Sequence, residues 1–147
     1  MSSKKPVIKR KDYYKTLQIK IKGLTPLLMN RLNPESLKSR SRMRLEQYSV
    51  EEDAKNSAYM AEINGKQQLY IPQEAVYSMI INTAKQYRVR RISLSSLLAG
   101  TMRVEPAKIP LGTDQYIIDV RAVVIQNQRV LKGRACLEEW SAEFKIV

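Results

Sequence analysis

Tyr59-Met60-Ala61-Glu62-Ile63-Asn64-Gly65-Lys66-Gln67-Gln68-Leu69-Tyr70-Ile71-Pro72, with the run Gln73 to Tyr87 behind it, decides the class of the fold. Asn64-Gly65 is the dipeptide of a two-residue hairpin turn, because both residues accept positive φ. It pairs a strand near Tyr59 to Ile63 with another near Gln68 to Ile71. Pro72 suits the first position of a helix. Val76, Met79, Ile80, Thr83, Ala84 and Tyr87 then recur at three- and four-residue spacing along Gln73 to Tyr87, an apolar stripe fit for a core. A hairpin that feeds an amphipathic helix belongs to the α+β class.

Upstream, Tyr14 to Lys22 alternates: Leu17, Ile19 and Ile21 fall on one face, Gln18, Lys20 and Lys22 on the other, as in a half-buried strand with lysines on its open side. Gly23-Leu24-Thr25-Pro26 breaks that strand, and Leu27-Leu28-Met29 forms an apolar anchor after the turn. Asn30 to Gln47 mixes Arg31, Lys38, Arg40, Arg42 and Arg44 with Asn33, Pro34 and three serines, which predicts a long basic loop rather than core. Ser49 followed by Glu52 matches a capping box and predicts a short helix over Val50 to Ala58.

Downstream, the main helix runs into Lys85, Arg88, Arg90 and Arg91, which suit either its C-terminal dipole or a phosphate-facing patch. Strand patterns follow over Thr101 to Val104, Tyr116 to Ile125, Arg129 to Leu137 and Trp140 to Val147. In the last, Trp140, Ala142, Phe144 and Ile146 alternate with Ser141, Glu143 and Lys145. The expected architecture is one antiparallel sheet with one main helix packed on it, a long basic loop after the first strand, and a flexible basic arm over residues 1–12 preceding a single domain over 13–147.

The charge points to the partner. The chain of 147 residues has a net charge of +12, and it is uneven: residues 1–44 hold 13 basic and 2 acidic residues, residues 45–147 hold 13 and 12. Like charge gathered in one segment opposes folding, so a polyanionic partner explains the asymmetry better than solubility does. Seven tyrosines (Tyr13, Tyr14, Tyr48, Tyr59, Tyr70, Tyr87 and Tyr116) lie near basic residues. That interleaving suits bases stacked beside a basic groove, with two or three of the rings expected to touch a base and the rest to serve the core. The expected nucleic-acid contacts are Lys9, Arg10, Lys11, Lys20, Lys22, Arg31, Lys38, Arg40, Arg42, Arg44, Tyr48, Lys85, Tyr87, Arg88, Arg90 and Arg91.

Enzymatic readings have less to stand on. The chain has no histidine, and its one cysteine, Cys136, sits in an alternating strand where a buried thiol is the ordinary role. Its five glycines are not grouped into a nucleotide-binding loop. Glu105, Asp114 and Asp119 are the best trio for metal-dependent nuclease chemistry, but they lack motif spacing. No cofactor or metal is expected. The lone cysteine, the polar N-terminus and the lack of a long apolar run predict a cytoplasmic protein off the membrane.

Taken together, Ile21-Lys22-Gly23-Leu24-Thr25-Pro26-Leu27-Leu28-Met29, Leu69-Tyr70-Ile71-Pro72, Ile109-Pro110-Leu111 and the stretch Arg134 to Trp140 resemble a small, mostly uncharacterised family carried by phages and archaeal mobile elements, over about residues 16–147. A weaker resemblance, on Ile71-Pro72 opening a helix, is to the RAMP superfamily of RNA-binding CRISPR subunits. It implies a ferredoxin-like, RNA-recognition-motif-type core, although Gly100, Gly112 and Gly133 stand alone where those subunits have a glycine-rich loop. The function expected is sequence-independent binding of single-stranded DNA by several protomers, a homo-oligomer along the strand. The alternatives are an RNA-coating subunit, a duplex-binding protein and, from another class, a metal-dependent nuclease.

Overall fold

Leu17, Ile19 and Ile21 do share a face, and a helix covers it at Ile19 and Ile21, while Leu17 at the end of the strand stays 57% exposed. A computed structural model describes residues 15–32, 49–125 and 127–147. The predicted arm over 1–12, Tyr14, and the basic loop from Asn33 to Gln47 lie outside the described residues. Strand β1 (Leu17–Lys22) pairs antiparallel with β11 (Ser141–Ile146), placing Ile19 opposite Phe144 and Ile21 opposite Ala142. Strand β7 (Val104–Glu105) completes this sheet on the far side of β11. Helix α2 (Gln73–Ala84) covers the apolar face, and Val76, Val104, Ile109, Ala142 and Phe144 form one buried cluster with Ile19, Ile21, Tyr77 and Ile80 around it.

The Asn64-Gly65 hairpin forms as its turn chemistry requires. Asn64 has φ 54° and Gly65 φ 73°, joining β3 (Met60–Ile63) to β4 (Lys66–Pro72), with β8 (Lys108–Pro110) on the other side of β4. A third sheet runs β2 (Leu27–Leu28), β10 (Gln128–Leu137), β9 (Ile117–Ile125). Helix α1 (Val50–Ser57) lies on β10. Its N-terminus is the predicted cap, with the Ser49 hydroxyl accepting from the Glu52 N–H at 3.4 Å and donating to the Glu51 carboxylate at 2.9 Å. The backbones of helix and strand come so close that any side chain at Gly133 would strike the Val50 carbonyl. Met29, Ala58, Leu69, Ala135 and Leu137 make the second buried cluster, and the buried Ser57 hydroxyl accepts from the Ala135 N–H at 2.9 Å.

Five expectations need correction. The strands divide among three three-stranded antiparallel sheets and a two-stranded ribbon, not one sheet. The described residues hold three helices rather than one main one with a short companion: α3 (Leu94–Thr101) was hidden because its serines and Gly100 read as loop while Leu94, Leu97 and Leu98 are too few to show a period. Helix α2 stops at Ala84, and Pro72 is its N-cap (ψ 139°), still belonging to β4, rather than its first helical residue. The buried stripe of α2 also sits further round than expected: Val76, Tyr77, Ile80 and Ala84 face inward, while Met79 is 56% exposed and Thr83 and Tyr87 are exposed. No helix among the described residues is long and apolar enough to cross a membrane.

Candidate nucleic-acid interface

After Ala84 the chain turns instead of continuing as helix. Lys85 is the C-cap residue, with Nζ donating to Asn82 Oδ1 at 2.9 Å, and the Gln86 and Tyr87 amides bond back to Thr83 and Ala84. Then β5 (Arg88–Val89) and β6 (Ile92–Ser93) pair across an Arg90-Arg91 turn, closed by the Leu94 N–H donating to the Tyr87 carbonyl at 3.0 Å. Tyr87, Arg88, Val89, Arg90, Arg91 and Ile92 are all exposed, Tyr87 by 58%. So the four basic residues that the sequence assigned to a helix end stand mostly on a β-ribbon.

The electrostatics of the ribbon are one-sided. No acidic residue occurs from Ala75 to Val104, and no ion pair engages Arg88, Arg90 or Arg91 among the described residues. Arg90 has φ 57°, in the left-handed region that costs an ordinary side chain about 1 kcal/mol or more. Among the other described residues, the non-glycine ones with positive φ are Asn64 and Asn127, the type that tolerates it best. Holding an arginine there costs backbone stability and leaves its exposed side chain at the ribbon tip.

Lys20 and Lys22 are brought together as predicted, on the face of the β1-β11-β7 sheet turned away from α2. With Thr113, Glu139, Trp140 and Ser141 they line an open groove. The patch is mixed in charge. Glu143 stands opposite Lys20 in the register, and the Gln18 side-chain amide donates to the Glu143 carboxylate. Trp140, expected as a core residue of the last strand, precedes β11 and does two things at once: its ring packs between the two clusters and lines the groove, with Nε1 donating to the Thr25 carbonyl at 2.9 Å. A side chain at Gly23 would collide with that indole.

Arg31 is exposed, and its backbone N–H donates to the Ser57 carbonyl at 2.9 Å. Lys9, Arg10, Lys11, Lys38, Arg40, Arg42, Arg44 and Tyr48 lie outside the described residues. Of the tyrosines, Tyr59 and Tyr70 meet edge to face at 5.6 Å, Lys108 Nζ sits 5.6 Å from the Tyr70 centroid, and Tyr77 and Tyr116 pack on the clusters, which leaves Tyr87 as the exposed ring among the described residues. Sequence reasoning placed both strands of the β9–β10 hairpin but missed the basic residues that their pairing brings together. There Arg121 stands opposite Lys132 and Asp119 opposite Arg134, on the face away from α1. The signal was present in the two-residue spacing of Lys132 and Arg134 within an alternating strand.

The trio considered for nuclease chemistry does not assemble. Glu105 is paired with Arg103 at 2.6 Å and Asp119 with Arg121 at 2.6 Å, and no group of three histidine, cysteine or acidic side chains is placed to hold a metal among the described residues. Cys136 is buried, and burial pushes its thiol up from the ordinary value, with the negative charges of Asp119 and Glu138 adding to the shift, so little thiolate is present near neutral pH. Comparison of the chain with protein-family models, with curated proteins and with solved structures finds no match in any of the three.

Proposed function

We propose that this chain binds nucleic acid through its phosphates without reading sequence, with single-stranded DNA as the favoured ligand and several protomers following one strand. The observation that carries the reading is the β5–β6 ribbon: three exposed arginines without acidic partners, one of them held at positive φ, next to an exposed tyrosine. Guanidinium groups bind phosphate oxygens in forked pairs, and an aromatic face accepts any base by stacking. The Lys20 and Lys22 groove beside Trp140 offers a second contact of the same kind. Division of the strands among three sheets lends no support to the ferredoxin-like core that the RNA-coating alternative asks for.

A competition among single-stranded DNA, duplex DNA and RNA of one length, at about 50 and about 200 mM salt, tests the proposal. Single-stranded DNA is expected to win at both, with affinity falling about tenfold or more between them, as for a protein meeting at least three phosphates. An affinity indifferent to salt would remove the phosphate reading. Preference for RNA, abolished by deleting 2′-hydroxyls, would move the protein to the RNA-coating class.

A further inference from the structure

Strand β9, Ile117-Ile118-Asp119-Val120-Arg121-Ala122-Val123-Val124-Ile125, is nine residues long and forms the edge of its sheet. Its inner side pairs with β10 along its whole length, and no strand lies on its outer side among the described residues. Soluble proteins protect such edges with proline, a bulge or an inward-pointing lysine. β9 has no proline and no glycine, pairs with β10 without a bulge, and exposes Ile118, Val120 (47%) and Val124 (69%) on the face where α1 packs. Leu131 of β10 continues that apolar face, also exposed, opposite Ala122. A row of outward N–H and C=O groups along an apolar strand is a template for one more strand.

We infer that the occupant is a second copy of β9, paired antiparallel about a twofold axis at Val120. The two charges in the strand select this register. Side chains directly opposite each other across an antiparallel pair share a face, so the two copies can be centred only on a residue position. Centring on Val120 sets Asp119 opposite the second copy's Arg121 and Arg121 opposite its Asp119, two ion pairs by symmetry. Centring on Asp119 or on Arg121 sets like charges against each other, and centring on Ile118 or Ala122 sets both charges opposite uncharged positions. Within one copy Arg121 Nε already holds Asp119 Oδ2 at 2.6 Å, which leaves the Arg121 Nη groups and the other Asp119 oxygen to reach across the axis. On the opposite face Ile118 meets Ala122 and Val120 meets its own copy, so apolar side chains meet apolar ones. The result is a six-stranded sheet, β2-β10-β9-β9-β10-β2, and because the axis is normal to the sheet, the Lys132 and Arg134 of both copies share one side.

The interface does not rest on the nucleic-acid reading, and its test uses the full chain with nucleic acid removed. Sedimentation equilibrium over a range of concentrations is expected to show a monomer–dimer equilibrium. Asp119→Arg and Arg121→Asp each convert both ion pairs to like-charge pairs and should each weaken the dimer about tenfold or more. The double variant carrying both exchanges restores opposite charges in the same register, and its dissociation constant should return to within about threefold of the wild type. Melting curves of each variant check that the monomer folds, and if one reversal unfolds it, Asp119→Asn with Arg121→Gln replaces the pair, with a smaller weakening expected. A chain that stays monomeric at every concentration, as it would if another stretch of itself covers β9, overturns the inference. So does a dimer that ignores the charge reversals, or one in which the double variant is as weak as the singles.

Discussion

Of the hairpins that turn through a residue at positive φ with two residues between the strands, β3–β4 and β5–β6 use the turn for different ends. In β3–β4 the turn is Asn64-Gly65, the strands pair over four residues, and β4 carries Leu69 into the core with no exposed surface. Every local choice there favours the packed state. In β5–β6 the turn is Arg90-Arg91, the strands are two residues each, and no side chain from Tyr87 to Ile92 is buried. Four ladder residues and an arginine at φ 57° cannot stabilise much on their own. The first hairpin is explained by what it packs against. The second buries none of its side chains, and it is the proposed function that gives its arginines a role.

That contrast fixes how the two should respond to mutation, and the largest effect falls on the packed hairpin. Leu69→Ala removes a fully buried side chain from the cluster around Met29 and Ala135 and should cost about 2 to 5 kcal/mol in urea unfolding. A loss below about 1 kcal/mol would mean that β3–β4 is as peripheral as the ribbon. Replacing Arg88, Arg90 and Arg91 together by serine should do the reverse: the melting temperature stays within a few degrees, while the log–log salt slope for single-stranded DNA flattens by about 2. An unchanged slope would return the interface to the Lys20 and Lys22 groove. Tyr87→Ala is next in size, with an expected loss of about fivefold to tenfold in affinity if one base stacks there, and little change in stability because the ring is exposed.

The packed hairpin was legible in the sequence and the ribbon was not, and the reason is the range over which each signal acts. Asn64-Gly65, the Ser49–Glu52 cap and the alternation of Phe144 with Glu143 and Lys145 are set by neighbouring residues, so a local pattern determines them. Which strands share a sheet is decided by contacts far apart in sequence. Tyr70 with Pro110, or Leu28 with Cys136, leaves no mark on a window of ten residues. Arg88 to Arg91 read as residues at the end of a helix, fit either for its dipole or for phosphates, because the helical pattern runs on to Tyr87. Two-residue strands are too short for alternation to contradict it. The same shortness hid α3, and the expected stripe on α2 failed at Met79 and Thr83 because period alone cannot tell which of two adjoining faces meets the sheet. Trp140 was legible as apolar but not as a groove wall, since that depends on Lys20 and Lys22 arriving beside it from the other end of the chain.

The smallest expected effect is the sharpest test of the contrast, because its sign matters more than its size. Arg90→Asn puts at the ribbon tip the residue type that already sits at Asn64 and Asn127 in the two other hairpins. Asparagine relieves the left-handed conformation without the extra unfolded-state entropy of glycine, so the variant should be more stable than wild type by roughly 0.5 to 1 kcal/mol. The urea midpoint should rise with the slope of the transition unchanged, as for a purely native-state effect. Binding should move the other way: one guanidinium fewer flattens the salt slope on single-stranded DNA by about 0.7. Stability gained together with affinity lost is the signature of a side chain kept for a ligand. If Arg90→Asn instead lowers stability, the guanidinium has a structural partner within the fold, and the ribbon belongs with β3–β4 after all.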